Sequence, residues 1–279
     1  MNTPVRRRVA VLITDMQASG GIQKVASNLV RDLGARYETT LISVEPLNNP
    51  VFFEEGLDFQ SLDYRRNSVS RKALINDLIA IGSRLRRRVR EQKIDVVLAL
   101  WYDMATVAAL ALPSSVKKVG CEHIAYGQAS RIWRATRSFA YPKLDAVVGL
   151  TQEDLPLLSK ISGHAAVIPN YVNDYAPVAR EERQKILLTI GHLDERKGVD
   201  RLLWALKQTL MDHPDWKLVV VGGGEKGHVD WRYMAFVSVL VNLLGLHGRV
   251  ELYPATSRIE EWYRKASIYV LGSRMEGLP

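Results

Sequence analysis

Short apolar runs alternate along the chain with longer stretches in which apolar residues recur every three or four positions. Runs such as Val9–Ile13 and Asp95–Leu100 are typical of strands buried on both faces, whereas Ile22–Leu33 and Lys72–Gln92 have helical spacing. This alternation predicts parallel sheets with right-handed crossovers. The same patterns predict strands at Tyr37–Val44, Lys117–Cys121 and Ala146–Leu150, an irregular strand within Phe52–Leu62, and helices at Ala105–Leu112 and Arg131–Tyr141.

The alternation is interrupted once. Ile168–Asn170 and the polar residues through Arg183 are typical of a linker, after which the pattern restarts. The predicted strands are Ile186–Ile190, Lys217–Val221, Val250–Leu252 and Ile268–Leu271, and the predicted helices are Asp200–Met211, Tyr233–Leu244 and Arg258–Lys265. We therefore expect two α/β domains, residues 1–176 and 177–279. The last segment, Gly272–Pro279, has no helix after it, so we expect the second domain to be incomplete.

Composition narrows the class of protein. The chain has 279 residues, of which 47% are hydrophobic and 24% charged, values typical of a globular protein. The apolar segment Val9–Ile13 is too short for a signal peptide core and leads into Thr14 and Asp15, so we expect a cytoplasmic protein. The single cysteine, Cys121, excludes an internal disulfide and a cysteine-cluster metal site.

Positive charge is concentrated in the first domain. The formal net charge is +8, and residues 65–143 contain 16 Lys/Arg against 5 Asp/Glu. Such a region could attract nucleic acid, an anionic membrane or a phosphorylated substrate, or could simply be a solvated face. The two densest parts are Arg84–Arg90 and Arg131–Arg137, the second interleaved with Trp133 and Phe139.

Open parallel sheets bind ligands at the carboxyl ends of their strands, so the loops there are the candidates for chemistry. Gly20-Gly21 precedes a helix, where bare backbone could approach an anion, although such a turn is also common without function. The segment GHLDERKG carries Arg196 and Lys197, which could stabilise a departing diphosphate or could be solvated partners of neighbouring acids.

Other strand-end residues are weaker candidates on their own. Gly222–Gly224 could host a planar base or form a tight turn. His123 and His192 each follow a strand and could hydrogen-bond a sugar or phosphate, although isolated histidines are more often structural. Glu276 is a carboxylate suited to sugar hydroxyls.

Six segments in order resemble the retaining family 4 glycosyltransferases of the GT-B fold, especially bacterial enzymes of lipopolysaccharide and capsule assembly. They are ASGGIQKVASNL, the Glu122-His123 pair before LDAVVGLTQ, VIPNYV, IGHLDERKGVDRLLWAL, VVVGGGE and YVLGSRMEGLP. The resemblance covers Val9–Pro279 and implies two Rossmann-like domains, with the acceptor on the first and the nucleotide-sugar mainly on the second.

The resemblance also implies roles for individual residues. Lys197 matches a lysine that meets the donor diphosphate, His123 a histidine near the donor sugar, and Glu276 a glutamate that holds sugar hydroxyls. The family usually has an arginine where this chain has His192, so His192 or Arg196 would supply that charge. The donor-binding residues implied are Gly20, Gly21, His192, Arg196, Gly222, Gly223, Gly224, Tyr253, Ala255 and Gly277.

The implied reaction transfers a hexose or related sugar with retention, needs no metal or other cofactor, and uses a UDP-sugar in preference to a GDP-sugar. The acceptor would be a glycan or a lipid-linked molecule, and the basic regions could contact the inner membrane surface. No nucleic acid is expected as a partner. Two alternatives stay open: an inactive fragment of a transferase, and a nicotinamide-dependent oxidoreductase, although G-x-G-x-x-G is missing from the chain.

Overall fold

The computed structural model divides the chain into two compact units, the first through Tyr171 and the second from Val172. The structure describes residues 6–17, 20–46, 58–66, 70–170, 177–223, 230–256 and 258–276.

The first unit contains a seven-stranded sheet in which all the described pairings are parallel. Its order is β3-β2-β1-β4-β5-β6-β7. The strands are β1 Arg8–Ile13, β2 Glu38–Ser43, β3 Phe59–Ser61, β4 Val96–Leu100, β5 Lys117–Cys121, β6 Ala146–Gly149 and β7 Ala165–Val167. The helices are α1 Gly21–Gly34, α2 Arg71–Glu91, α3 Tyr102–Ala111, α4 Arg131–Ala140 and α5 Leu155–Ile161.

The central strand β1 shows why a continuous apolar run forms here. Successive side chains of a strand point to opposite faces of the sheet. Ala10 and Leu12 belong to the core cluster on one face, which includes residues of α2 and α3. Val11 and Ile13 belong to a second cluster, which includes residues of α1. A run without polar positions is therefore what a strand covered on both faces requires.

The second unit repeats the design with a four-stranded parallel sheet of order β10-β9-β8-β11. Its strands are β8 Gln184–Ile190, β9 Lys217–Gly223, β10 Val250–Pro254 and β11 Ala266–Tyr269, and its helices are α6 Val199–Asp212, α7 Trp231–Leu243 and α8 Ile259–Lys265. Leu187 and Leu188 belong to separate clusters on the two faces. Both units thus have the predicted α/β class.

Strand order reverses once in each sheet. In the first unit the chain proceeds from β1 through β2 to β3 and then crosses back to place β4 on the other side of β1. In the second unit it proceeds from β8 through β9 to β10 and then returns to place β11 beside β8. Crevices that bind ligands open at such reversals, outside the carboxyl ends of the strands.

Most predicted elements are present with ends shifted by a few residues, and two differences are larger. Helix α3 begins at Tyr102 rather than Ala105, with only Trp101 between it and the end of β4. Helix α5 and strand β7 were not predicted at all, because seven and three residues are too few to establish a period. Part of the predicted strand Phe52–Leu62 lies outside the described residues, and its observed portion is β3.

Candidate active site

Lys197 lies in the loop that follows β8, at the strand-order reversal of the second unit. Residues Glu195–Lys197 form one 3-10 turn, and the Asp194 carboxylate caps this turn by accepting a hydrogen bond from Lys197 N at 3.1 Å. The aliphatic part of Lys197 runs over Gly191, where an added Cβ would lie 3.1 Å from the lysine Cε. The glycine therefore leaves room for the lysine to cross the end of its own strand.

The Lys197 ammonium meets Glu276. Lys197 Nζ donates to Glu276 Oε1 at 2.7 Å, and the two side chains are about one-fifth exposed. Glu276 follows β11, the strand that pairs with β8 across the reversal. A cation and a carboxylate with residual exposure thus converge at the edge where this fold binds ligands.

A second ion pair holds the Glu276 loop in place. Arg274 donates two hydrogen bonds to the Asp200 carboxylate, at 2.9 and 2.7 Å, in the bidentate geometry that fixes both groups. The Tyr233 hydroxyl donates to the same carboxylate at 2.6 Å. Hydrogen bonding from Arg274 lowers the pKa of Asp200 to about 2, so this carboxylate is charged at any physiological pH.

Backbone contacts complete this connection. Arg274 N donates to Arg196 O at 2.8 Å, and an Arg274 guanidinium nitrogen donates to Glu195 O at 2.6 Å. One arginine therefore joins the Glu276 loop to the 3-10 turn that ends in Lys197. Arg274, Asp200 and Tyr233 are called the Arg274 clamp below. Sequence reasoning missed the clamp, and the only signal was the position of Arg274 two residues before Glu276.

Glycines allow the strand-end loops of the second unit to approach one another. Gly198 has φ +62°, and a Cβ there would lie 2.2 Å from Gly272 O. Gly222 has φ +130°, and a Cβ there would lie 2.0 Å from Gly191 O. Contacts this short do not occur for real Cβ atoms, so any side chain at either position would push the loops apart.

The other predicted residues of this unit surround the pair less closely. His192 follows Gly191 directly, and Arg196 is exposed in an ion pair with Asp194 at 3.3 Å. Gly222 and Gly223 end β9. Tyr253 lies in the edge strand β10 and Ala255 follows that strand, two strands from β8 and so roughly 10 Å away by strand spacing. Gly224 and Gly277 lie outside the described residues.

Tyr253 has partners of its own at that edge. Its hydroxyl donates to Glu251 Oε2 at 2.9 Å, and its ring centroid lies 4.5 Å from that of Trp262. The structure thus brings Lys197 and Glu276 into contact and leaves Tyr253 and Ala255 at a distance suited to a different part of an extended ligand.

In the first unit, His123 lies just beyond β5. Its Nε2 is buried and has no hydrogen-bond partner among the described residues. Burial lowers the pKa of His123 to about 4, so the imidazole is neutral near pH 7. A neutral imidazole can donate from one ring nitrogen and accept at the other, so a hydroxyl group would be a suitable partner for Nε2.

Beside His123 lies a buried ion pair. Arg137 donates to Glu122 Oε2 at 3.0 Å, and the Tyr141 hydroxyl donates to the other carboxylate oxygen. A second Arg137 nitrogen donates to Tyr126 O at 3.0 Å. Arg137 is fully buried, and burial raises the pKa of Glu122. We expected the whole segment Arg131–Arg137 to present positive charge to a membrane. This expectation is wrong for Arg137, because its guanidinium is buried and bonded to Glu122 and Tyr126 O.

In the segment Arg84–Arg90, likewise, only some of the arginines are available to bind an external partner. Arg84 donates to Leu62 O at 2.9 Å and lies over the Tyr64 ring, and Arg88 bonds Gln60. Arg87 and Arg90 remain exposed. Some of the arginines of α2 therefore form contacts within the first unit, and the others remain exposed to solvent.

Gly20 and Gly21 occupy the start of α1, after β1. Gly20 has an extended backbone with φ −153°, and Gly21 is the first helical residue. An added Cβ on Gly21 would meet no atom of the described residues within 4 Å, so the space beside this helix end is open.

Trp101 is the residue with the least usual backbone at this edge. It follows β4 with φ +79° and ψ +149°, a region that is essentially restricted to glycine and costs on the order of 1–3 kcal/mol. Its amide still donates to Cys121 O at 2.9 Å, in continuation of the β4–β5 ladder. Sequence reasoning placed this loop among the candidates but assigned nothing to the tryptophan.

The described parts of the chain contain no group of three or more His, Cys, Asp or Glu side chains arranged to hold a metal ion. No helix there combines the length and apolarity needed to cross a bilayer.

Comparison with protein families gives two adjacent matches. The model described as "Glycosyltransferase Family 4" matches residues 19–174, and the model described as "Glycosyl transferases group 1" matches residues 173–279.

Similar curated proteins include an uncharacterized glycosyltransferase of Haemophilus influenzae, 27% identical over 98% of this chain and 76% of its own. The amylovoran biosynthesis glycosyltransferase AmsD of Erwinia amylovora is 25% identical over the same two shares. Among solved structures, sucrose-phosphate synthase from Thermosynechococcus elongatus has a TM-score of 0.75 at 16% identity, covering 98% of this chain and 77% of its own. Anabaena HepE in complex with UDP-glucose has a TM-score of 0.74 at 14% identity, with shares of 95% and 74%. At these identities the two structures bear on the fold alone.

Proposed function

Because the chain belongs to glycosyltransferase family 4, a family of transferase enzymes, we propose that it moves a hexose or related sugar from a nucleotide-sugar to a bacterial surface glycan or a lipid-linked acceptor. The observation that carries this proposal is the contact between Lys197 and Glu276 at the strand-order reversal of the second unit. Membership of the family sets aside the alternative of a nicotinamide-dependent oxidoreductase.

The ion pair suggests how a donor is received. Lys197 needs an anion and Glu276 needs hydrogen-bond donors, and at present each satisfies the other at 2.7 Å. A sugar diphosphate offers both groups: phosphate oxygens for the ammonium and sugar hydroxyls for the carboxylate. Donor binding would therefore exchange one charged contact for two, with little cost in desolvation because both side chains are already partly buried.

The remaining donor contacts follow from strand order. Gly222 and Gly223 end the strand beside β8, where a ribose or base would lie, and Tyr253 and Ala255 lie one strand further. His192 and Arg196 add polar groups to the Lys197 loop. The complex of HepE with UDP-glucose, a protein of similar fold, supports a UDP-sugar as the first donor to test.

The reaction we propose proceeds with retention and without a metal or other cofactor. The acceptor oxygen forms a bond to the anomeric carbon on the face from which the diphosphate departs, the bond from that carbon to the phosphate oxygen breaks, and the acceptor proton passes to the departing oxygen. Lys197 stabilises the negative charge that grows on the diphosphate, and Glu276 orients the sugar. His123, neutral because it is buried, would hydrogen-bond a sugar hydroxyl.

For the acceptor side we propose a peripheral contact with an anionic membrane. Helix α4 exposes Ile132 by 49% and Phe139 by 67%, with Arg131 beside them and Lys143 over the Phe139 ring. Apolar side chains flanked by cations are suited to the boundary of an anionic bilayer. This surface is named the α4 face.

Donor binding tests the proposal directly. Equilibrium dialysis of this chain with labelled UDP-glucose, UDP-galactose, UDP-N-acetylglucosamine and GDP-mannose should reveal binding of at least one UDP-sugar. Lys197→Met and Glu276→Gln each remove a charge-assisted contact and should weaken that binding about tenfold or more. Lys207→Met, an exposed lysine on α6, is the matched control. Failure of every donor to bind, or wild-type affinity in both site variants, would overturn the proposal.

A further inference from the structure

Three aromatic side chains gather at the strand-order reversal of the first unit. Trp101 follows β4, Tyr102 begins α3, and Trp133 lies in the first turn of α4. The Trp101 and Tyr102 ring centroids are 5.6 Å apart, and those of Tyr102 and Trp133 are 4.8 Å apart. All three remain partly exposed, unlike the aliphatic core of the same unit. These three residues are named the aromatic platform.

Core packing alone does not account for the platform. Trp101 has a backbone conformation that only glycine adopts without strain, and strain of this kind persists where the surrounding structure enforces it, commonly at ligand sites. The enforced conformation keeps the Trp101 amide bonded to Cys121 O, at the carboxyl end of β4, where ligands of such sheets bind.

The platform also has a rigid support. The Arg137 guanidinium lies 5.2 Å from the centroid of Tyr102 and 4.3 Å from that of Tyr126, close enough for cation–π attraction to both rings. Arg137 is itself fixed by Glu122 and by Tyr126 O. A buried ion pair is weak as a source of stability, so its contact with partly exposed rings is better explained by the positioning of those rings.

Ring geometry indicates the class of ligand. The interplanar angles are 37° and 55°, so the rings form a curved surface rather than the parallel-walled slot that a planar nucleobase would fill. A pyranose has an apolar C–H face, which can pack on a curved aromatic surface, and it has hydroxyl groups around its rim.

We propose that the aromatic platform binds a pyranose ring of the acceptor, so that the group which receives the sugar is itself a saccharide and not a bare lipid phosphate. This inference rests on the proposed transferase function, because it assigns the acceptor of that reaction. It concerns residues of the first unit, and its test is therefore separable from donor binding.

Saturation-transfer NMR with methyl glucoside, methyl galactoside, methyl mannoside and their disaccharides tests the proposal without turnover. At least one should bind the wild-type chain, with transfer strongest at the protons of one C–H face. Trp133→Ala should reduce the affinity about tenfold or more, and Trp133→Phe, which keeps a ring, should retain most of it. Trp101→Gly fits the backbone conformation without strain and should lose binding while the chain stays folded by circular dichroism. Trp204→Ala, an exposed tryptophan of α6, is the control.

The outcomes separate the two proposals. If a UDP-sugar binds the wild-type chain but no glycoside does, the platform is wrong and the transferase function stands. If no donor binds, the proposed function fails whatever the glycosides do. Binding of uridine or dodecyl phosphate that Trp133→Ala abolishes, without saccharide binding, would also overturn the platform by assigning it another ligand.

Discussion

At the scale of single residues, burial decides the chemistry of His123. The imidazole lies just beyond β5 with its Nε2 buried and unpartnered among the described residues, and its pKa falls from 6.5 to about 4. The charged form is disfavoured because it would lose hydration without gaining a partner. A histidine in this state can share a hydrogen bond with a hydroxyl at neutral pH, but it offers no positive charge to a phosphate.

The shift has a consequence for stability. Between about pH 6.5 and pH 4 the unfolded chain binds a proton at residue 123 that the folded chain does not, so the free energy of unfolding should fall as pH falls through this window, by up to about 1.4 kcal/mol per pH unit from this group. Urea unfolding at several pH values should show a shallower decline in His123→Gln than in wild type. His213→Gln, at an exposed histidine, is the control. Parallel pH profiles for wild type and His123→Gln would contradict the prediction.

Arg137 shows where counting charges along the sequence misleads. Arg131, Arg134 and Arg137 are spaced by three, and on a helix each such step turns by about 60° from the previous direction. Arg131 therefore stays exposed, whereas Arg137 turns inward and pairs with Glu122. The total charge of the segment was evident from the sequence, but the fraction available to a partner was not.

At the scale of elements, the loops after β8 and β11 act as one assembly. The Arg274 clamp joins them through a bidentate ion pair and two hydrogen bonds to backbone carbonyls. Glu276 lies two residues beyond Arg274, so its position follows from that of the arginine. The clamp thus acts on the site by holding Glu276 toward Lys197 rather than by touching a donor itself.

Charge reversal tests the clamp. Asp200→Arg and Arg274→Asp should each place like charges together, release the Glu276 loop and weaken binding of the UDP-sugar about tenfold or more. The double variant restores opposite charges and should recover most of the affinity. Reversal of Lys185 and Asp215, a pair at the opposite end of β8, should have little effect. A double variant as weak as the worse single variant would show that the ion pair does not position the loop.

A comparison of two glycines distinguishes the effect of backbone strain on stability from the effect of a close contact. Gly198 and Gly245 have similar φ angles, +62° and +70°, but an added Cβ at Gly198 would lie 2.2 Å from Gly272 O, whereas at Gly245 it would meet no described atom within 4 Å. Gly245→Ala should cost about 1–2 kcal/mol from the left-handed conformation alone. Gly198→Ala should cost more and should also reduce donor affinity. Equal losses of stability in urea unfolding would contradict the contact that we describe.

At the scale of the whole molecule, some basic side chains form contacts within the first unit and others are exposed to solvent. The net charge of +8 predicts attraction to anionic surfaces, but the structure shows Arg84, Arg88 and Arg137 engaged within the first unit. The α4 face is where exposed apolar and basic side chains coincide. Its apolar residues lie on the side of α4 away from Trp133 and Arg137, so the same helix serves the aromatic platform with one side and solvent with the other.

Vesicle binding tests the α4 face. The double variant Ile132→Ser, Phe139→Ser should lower cosedimentation with vesicles rich in phosphatidylglycerol, because each substitution removes apolar surface that would enter the membrane interface. The double variant Trp204→Ser, Met211→Ser removes comparably exposed residues from α6 and should bind like wild type. High salt should weaken the wild-type interaction. If both double variants lose vesicle binding equally, the binding depends on exposed apolar side chains in general and not on the α4 face.

The sequence by itself determined the α/β class, the succession of most strands and helices, and which loops follow the carboxyl ends of strands, because burial on both faces leaves a local pattern that can be seen within ten or twenty residues. It did not determine which of those loops meet. Lys197 and Glu276 are 79 positions apart, and they touch because β11 returns to the side of β8 opposite β9. Strand order, the inward turn of Arg137 and the reach of Arg274 to Asp200 depend on long-range packing, which local periodicity does not encode.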